Sequence, residues 1–376
     1  MDAVHLTTAH KSTDTRIFDK EATSLADAGF DVGILAHDAP EGERNGVQFT
    51  DLGSAPSRTD RWWSIPKVAR IAKQLDASVY HFHDPELIPV GLYLTETTDG
   101  AVVYDVHEDY SHVVTTREWI PNTVSEPLSY VIPKVERAAA KRFDAIVAVS
   151  DWIAAPLRKL GPPVTVAHNF PRTETLQPAT ERIEREQTHV LCYVGGIQEL
   201  RGIYRMLDLL RVLRNRGVDV ELWVLGAWSP DENHAQVAQF VQQHELEDYV
   251  QFPGYLDYEK MFQYLHSADV GIALLDTNHY KRGVPTKFFE YLYAGLPIVT
   301  TPVDAVSKFM PEEFCQVVSQ GDAETAADAV EAALQEDHNA SEMRALVGEK
   351  YSWEHESAKI INLYDHLLDE NPRKQA

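Results

Sequence analysis

The stretch Arg282–Thr301, RGVPTKFFEYLYAGLPIVTT, decides the fold class. It follows an apolar run, Asp269–Leu275 (DVGIALL), that reads as a buried strand. A loop containing Gly283 comes next, with Pro285 at the first helical position, Thr286 beside it, and Lys287 and Glu290 in the first turns. Gly295 closes the helix, and Leu296–Thr300 forms the following strand. A strand, a glycine loop and a helix start aim unpaired backbone N–H groups and a positive dipole end at one point, which suits a diphosphate. Lys287 adds a point charge there, and Glu290, a turn deeper, can accept hydrogen bonds from a ribose. Any α/β protein contains such units, however, and Phe288, Phe289, Leu292 and Ala294 are explained as core packing either way.

Outward from this segment, strands and helices alternate along both halves of the chain. Ala3–Thr8, Asp31–Ala36, Val79–His83, Ala101–Val106, Ala145–Ser150 and Val164–Ala167 are short apolar strands. Between them lie helices at Arg16–Ala28 (ending at Gly29), Ile65–Leu75 and Pro133–Arg142. After a polar stretch, Arg172–Thr188, a second series runs through Val190–Val194, Val220–Leu225, Val250–Phe252, Asp269–Leu275 and Ile298–Thr301. This predicts two doubly wound, Rossmann-like α/β domains. The expected divisions are 1–170, a linker 171–188, a second domain 189–351, and a final helical segment 352–376. Ligands of such sheets bind beyond the carboxyl ends of the strands, so both domains are expected to face one cleft. The last helix, Trp353–Leu368, begins after Ser352 as N-cap and carries the apolar positions Ile360, Ile361, Leu363, Tyr364, Leu367 and Leu368.

Composition narrows the function. The 376 residues carry 34 basic against 58 acidic side chains, a net charge of −24, which argues against nucleic acid as a partner. The acid is spread along the chain, a pattern suited to a salt-rich cytoplasm where screening removes self-repulsion, so a halophilic host is the expectation. Hydrophobic residues make up 44 % and aromatics 10 %, enough for two cores. No apolar run approaches the roughly 18 residues of a membrane span, and the start MDAVHLTTAH lacks a secretory pattern, so a cytoplasmic location is expected. Cys192 and Cys315 are expected to be reduced and structural.

In this order and spacing the motifs resemble the GT-B glycosyltransferases of the large retaining group called family 4. The resemblance rests on Tyr193-Val-Gly195-Gly196-Ile with Arg201-Gly202, Val224-Leu-Gly226, and Phe252-Pro-Gly254-Tyr255 followed by Ala268-Asp269-Val270. It extends to Pro285-Thr286-Lys287-Phe-Phe-Glu290 with Gly295-Leu-Pro297, and to Tyr351-Ser-Trp353. In the first half Asp14-Thr-Arg16-Ile-Phe, His81-Phe-His83-Asp-Pro and Asp105-Val-His107-Glu are similar to segments lining the family's cleft. The resemblance implies a nucleotide-sugar donor and a glycan or lipid-linked acceptor, in synthesis of a surface polysaccharide. Gly195, Gly196, Arg201, Gly283, Thr286, Lys287 and Glu290 fall on its donor-binding positions. His107 falls on a histidine that contacts the transferred sugar in the family; its other reading is a strand-end histidine bonded to Asp105 or Glu108.

Two positions depart from the pattern. Arg282 stands where the family often carries the earlier of two glutamates, and Gly196 where it often has arginine, leaving Arg201 as the main cation of that loop. A nucleotide-sugar 2-epimerase and a non-catalytic scaffold protein on the same fold are the alternatives. A dinucleotide oxidoreductase is disfavoured, because neither half shows G-x-G-x-x-G after its first strand. Negative charge grows on the leaving diphosphate during glycosyl transfer, and Arg201, Lys287 and the helix start can meet it without a metal. His81, His83, Asp84 and Glu86 are read as no metal site, on the argument that a strand alternates sides and turns one imidazole away. Arg61-Trp62-Trp63 with Lys67, Arg70 and Lys73 reads either as a patch for a membrane surface or lipid-linked acceptor, or, favoured here, as tryptophans packing the foot of a helix.

Overall fold

The short apolar runs form two parallel sheets. The computed structural model describes the chain except residues 56, 109–121, 177–180, 230–232, 281–283 and 370–376. It divides into unit 1, Met1–Asn169 with Trp353–Ala376, and unit 2, Phe170–Ser352. No helix among the described residues is long and apolar enough to cross a membrane.

Unit 1 holds strands β1 (Ala3–Leu6), β2 (Val32–Ala36), β3 (Glu43–Arg44), β4 (Val47–Asp51), β5 (Val79–Phe82), β6 (Ala101–Val106), β7 (Ala145–Ala148) and β8 (Val164–Val166). Their order across the sheet is β3-β4-β2-β1-β5-β6-β7-β8, with only β3 antiparallel to its neighbour. The β3–β4 hairpin turns at Asn45 and Gly46, both at positive φ, an Asn-Gly turn the strand pattern had not flagged.

Both faces of this sheet are covered, and the two-residue period sorts the side chains between them. Val4, Leu6, Tyr80, Phe82, Val102, Tyr104 and Val106 belong to one core. Ala3, Val79, Ala101 and Val103 belong to the other, with Ile17, Phe18, Trp353, Ile360 and Tyr364. His5, His81 and Asp105 alternate onto this second face, and β1 pairs with β5 so that His5 stands opposite His81. The face is roofed by two helical segments. The first is π-helical over Thr15–Ala22, capped by the Asp14 carboxylate on Arg16 N and Ile17 N, and runs on into Thr23–Asp27. The second is Trp353–Asp369; its Trp353 Nε1 donates to Ser24 Oγ at 2.9 Å.

Unit 2 has the parallel order β11-β10-β9-β12-β13-β14. Its strands are β9 (His189–Val194), β10 (Val220–Leu225), β11 (Val250–Gly254), β12 (Val270–Ala273), β13 (Ile298–Thr300) and β14 (Cys315–Val317). Cys192 and Cys315 are free and buried in β9 and β14; burial pushes the Cys315 thiol up to about 12. The polar stretch before β9 is anchored to this unit: Ile183 N donates to Ser267 Oγ at 2.8 Å, Glu186 N to Glu221 Oε1 at 2.8 Å, and Arg185 pairs with Asp269.

The deciding helix runs Lys287–Ala294, so Pro285 lies two residues ahead of it and not inside its first turn. Gly295 ends it in the left-handed conformation, φ 84°. Tyr291 fixes the helix under the sheet: its hydroxyl accepts from Val194 N at 2.9 Å and donates to Ile272 O at 3.2 Å.

Candidate functional site

In unit 2 the polar atoms converge where β9 ends. Gly195 leaves the strand at φ 139° and donates to Leu225 O at 2.9 Å. The next strand end presses against it: a Cβ at Gly226, φ 152°, would stand 1.9 Å from Gly195 O, so only glycine lets the two backbones cross. A Cβ at Gly195 itself would meet Lys287 Nζ at 2.9 Å, Tyr193 Oη at 3.1 Å and Arg201 Nη1 at 3.4 Å. The missing side chain thus leaves room at the point where two cations and a phenol meet. Gly196 borders the same guanidinium, 3.4 Å from its own notional Cβ.

The two cations are held differently. Arg201 ends the short 3-10 turn Glu199–Arg201, and its Nε donates to Tyr280 Oη at 3.1 Å. Lys287 Nζ lies 3.9 Å over the Tyr193 ring, is buried, and has no hydrogen-bond partner among the described residues. Burial, then the Arg201 charge, holds its ammonium well below the ordinary lysine value despite Glu290. Glu290 is buried one turn on and accepts from Tyr258 Oη at 2.6 Å. Thr286 precedes the helix as its N-cap residue, without a side-chain capping bond. Of the residues the sequence pointed to, Gly195, Gly196, Arg201 and Lys287 come together, with Thr286 and Glu290 on the same helix. Gly283 and Arg282 lie outside the described residues. Tyr193, Tyr258 and Tyr280 were not singled out; only Tyr193 lay within a quoted motif.

Unit 1 carries the other polar centre, on the roofed face of its sheet. The expectation that His81 and His83 point to opposite sides is wrong: residues two apart share a strand face, and the two rings stack with centroids 4.7 Å apart. His107 Nε2 lies 3.2 Å from Asp105 Oδ2 and 3.1 Å from His83 Nδ1, and His83 Nε2 lies 2.9 Å from His5 Nδ1. Arg16 Nη2 donates to Asp105 Oδ2 at 3.2 Å and Arg16 Nη1 to Ala167 O at 3.1 Å. Burial alone would raise Asp105, but Arg16 and then His107 hold its carboxyl well below the usual range. Asp105 thus holds the Nε2 side of the His107 ring. Burial drives His83 down to about 4.

At the rim, His10 Nδ1 pairs with Asp84 Oδ1 at 2.8 Å, while Thr7 Oγ1 and the Thr8 and Ala9 amides donate to Asp84 Oδ2. Glu21, ion-paired with Arg16 at 2.9 Å and buried, was missed as a member of this centre, whereas Arg16 lay within a quoted motif. Trp62 and Trp63 do not pack a helix foot: they are 62 % and 84 % exposed on the Arg58–Leu75 helix, against the favoured expectation.

Comparison with known proteins follows the same division. A model of "Glycosyltransferase Family 4" matches residues 16–174, and one of "Glycosyl transferases group 1" matches residues 188–336. WcaL of Salmonella typhimurium, named as a colanic acid biosynthesis glycosyltransferase, is 24 % identical over 180 residues, 47 % of this chain. That match spans 43 % of WcaL, so the chain accounts for under half the length of this relative. Sucrose-phosphate synthase from Thermosynechococcus elongatus superposes with a TM-score of 0.78 at 18 % identity, covering 98 % of this chain and all of its own. HepE of Anabaena, solved in complex with UDP, gives 0.73 at 13 % identity over 97 % of this chain and 100 % of HepE. With one glycosyltransferase model on each unit and two parallel-sheet Rossmann-like units beneath them, the chain belongs to the family 4, group 1 glycosyltransferases of GT-B fold.

Proposed function

We propose that the protein is a retaining hexosyltransferase that takes a sugar from a nucleotide-diphosphate donor to a glycan or lipid-linked acceptor in surface polysaccharide synthesis. The observation that carries this reading is the buried, unpartnered ammonium of Lys287 beside Arg201 at the glycine turn. An ammonium buried without a hydrogen bond is costly, and a second cation nearby adds to the cost. A diphosphate offsets both at once, and most strongly as its leaving oxygen gains charge. Arg201 and Lys287 then neutralise the leaving group without a metal at that position. Glu290, already an acceptor for Tyr258, is the side chain for the ribose hydroxyls. On unit 1 we assign His107 to the sugar: Asp105 lies against its Nε2 and leaves the Nδ1 edge of the ring for the ligand. The exposed Trp62–Trp63 pair is assigned to a lipid-linked acceptor at a membrane surface. HepE, with UDP, and WcaL, by its name, support the donor and the pathway class.

The test is thermal stabilisation in concentrated KCl by UDP, GDP, ADP, CMP and dTDP, each with and without Mg²⁺. A selective rise for one diphosphate, equal with and without the metal, is expected. A protein that responds to none of them is not a nucleotide-sugar enzyme.

A further inference from the structure

Beneath the roof of unit 1 lies a set of side chains that glycosyl transfer does not use. His5, Glu21, His81 and His83 are all 0 % exposed, and one ligand-type atom of each lies within 4.8 Å of the others. His5 Nδ1 is 2.9 Å from His83 Nε2 and 3.9 Å from Glu21 Oε2. Ligands around a tetrahedral zinc, bonded at ~2.0–2.1 Å, stand about 3.3 Å apart, between these two distances. His81 Nε2 and Glu21 Oε2 have no hydrogen-bond partner among the described residues. A buried polar atom left so is costly, and a ligand that binds it removes the cost.

The far side of three of these side chains is already held. His83 Nδ1 lies 3.4 Å from Asp105 Oδ2, His81 Nδ1 lies 2.8 Å from Tyr364 Oη, and Glu21 Oε1 lies 2.9 Å from Arg16 Nε. Metal-binding imidazoles and carboxylates are oriented in this way, by a second group on the atom that does not bind. The elements that deliver them are rigid: His5 and His81 face each other in paired strands, and Glu21 descends from the π-helical segment.

We propose that His5 Nδ1, His81 Nε2, His83 Nε2 and a Glu21 oxygen bind one divalent transition ion of the imidazole-preferring class, such as zinc, as a structural centre of unit 1. The site is separate from the diphosphate site of unit 2 and does not rest on the transferase reading. On binding, each of the four atoms gives a lone pair to the ion, and any proton on the Glu21 oxygen leaves to solvent. His5 moves its remaining proton from Nδ1 to Nε2.

The experiment uses the untagged full chain, denatured and refolded with zinc, with cobalt(II), or with EDTA. After desalting, about one equivalent of zinc per chain is expected, with a melting point several degrees above the EDTA sample. The cobalt sample is expected to show the visible bands of a four-coordinate ion. His81→Gln should cut retained metal at least about tenfold and erase those bands with the far-UV circular dichroism intact, whereas His355→Gln, on the surface, changes neither. Where His81→Gln does not refold, Glu21→Gln serves the same comparison. Retention below about a tenth of an equivalent with equal melting points overturns the proposal, as does metal that survives both substitutions.

Discussion

Lys287 is the residue whose behaviour separates function from fold. Its ammonium is buried without a hydrogen bond, so Lys287→Met should raise the melting point of the ligand-free protein while weakening the diphosphate by about 10- to 100-fold, the range of a charged hydrogen bond. Scanning calorimetry and titration calorimetry read the two effects, and a variant that binds as the parent does removes Lys287 from the site. Glu290→Ala is also expected to weaken binding, but it strands the Tyr258 hydroxyl as well, so its effect mixes two causes. Protons give a further check. Burial and Arg201 lower the Lys287 pKa in the free protein, and a bound diphosphate raises it. Between those two values binding takes up a proton, so affinity falls as pH rises from the lower value to the upper one; below the lower one no proton is taken up, and above the upper one the affinity levels off. Calorimetry in buffers of different ionisation heat should show uptake growing with pH in the parent and absent in Lys287→Met.

The strand-to-helix units were legible because apolar runs and glycine stops lie within a few residues of one another. Thus β6 has the predicted bounds, and the Gly295 stop lies where it was read. What a strand end touches across the sheet was not legible. The meeting of His5 with His81 depends on the register of two strands far apart in sequence, and that of Lys287 with Tyr193 on how a helix seats beneath β9. Two signals were present: the Asn45-Gly46 turn, which was passed over, and the shared face of His81 and His83 that a period of two demands, which was misread. The crossing of strand ends at Gly226 makes a prediction at this scale. Gly226→Ala places a Cβ 1.9 Å from Gly195 O at φ 152° and should cost about 3 kcal/mol or more. Gly217→Ala, at φ 82° with nothing within 4 Å, should cost about 1 kcal/mol. Urea denaturation of the two variants measures the difference, and equal costs would mean that the strand ends do not cross as described.

At the scale of the molecule the charge is the dominant property. Arg216 alone is shared among Glu324, Asp328 and Glu331 at 2.6, 2.7 and 2.9 Å, a local picture of acid in excess of base. With a net charge of −24, the melting point is expected to climb from 0.1 M toward molar KCl, as the screening length falls from about 10 to about 3 Å. A flat salt curve would set aside the halophilic expectation. Unit 1 is also discontinuous in sequence: its Trp353–Asp369 helix is separated from the rest of it by all of unit 2. A ribosome adding about 5–20 residues per second needs on the order of 10–40 s to get from Asn169 to Trp353. Throughout that interval the nascent chain holds His5, His81 and His83 while Tyr364, which caps them, has not been made. The pocket that is sealed in the finished protein is therefore open from one side during its own birth, and an ion supplied then is caught, whereas the same ion offered to the mature protein arrives too late.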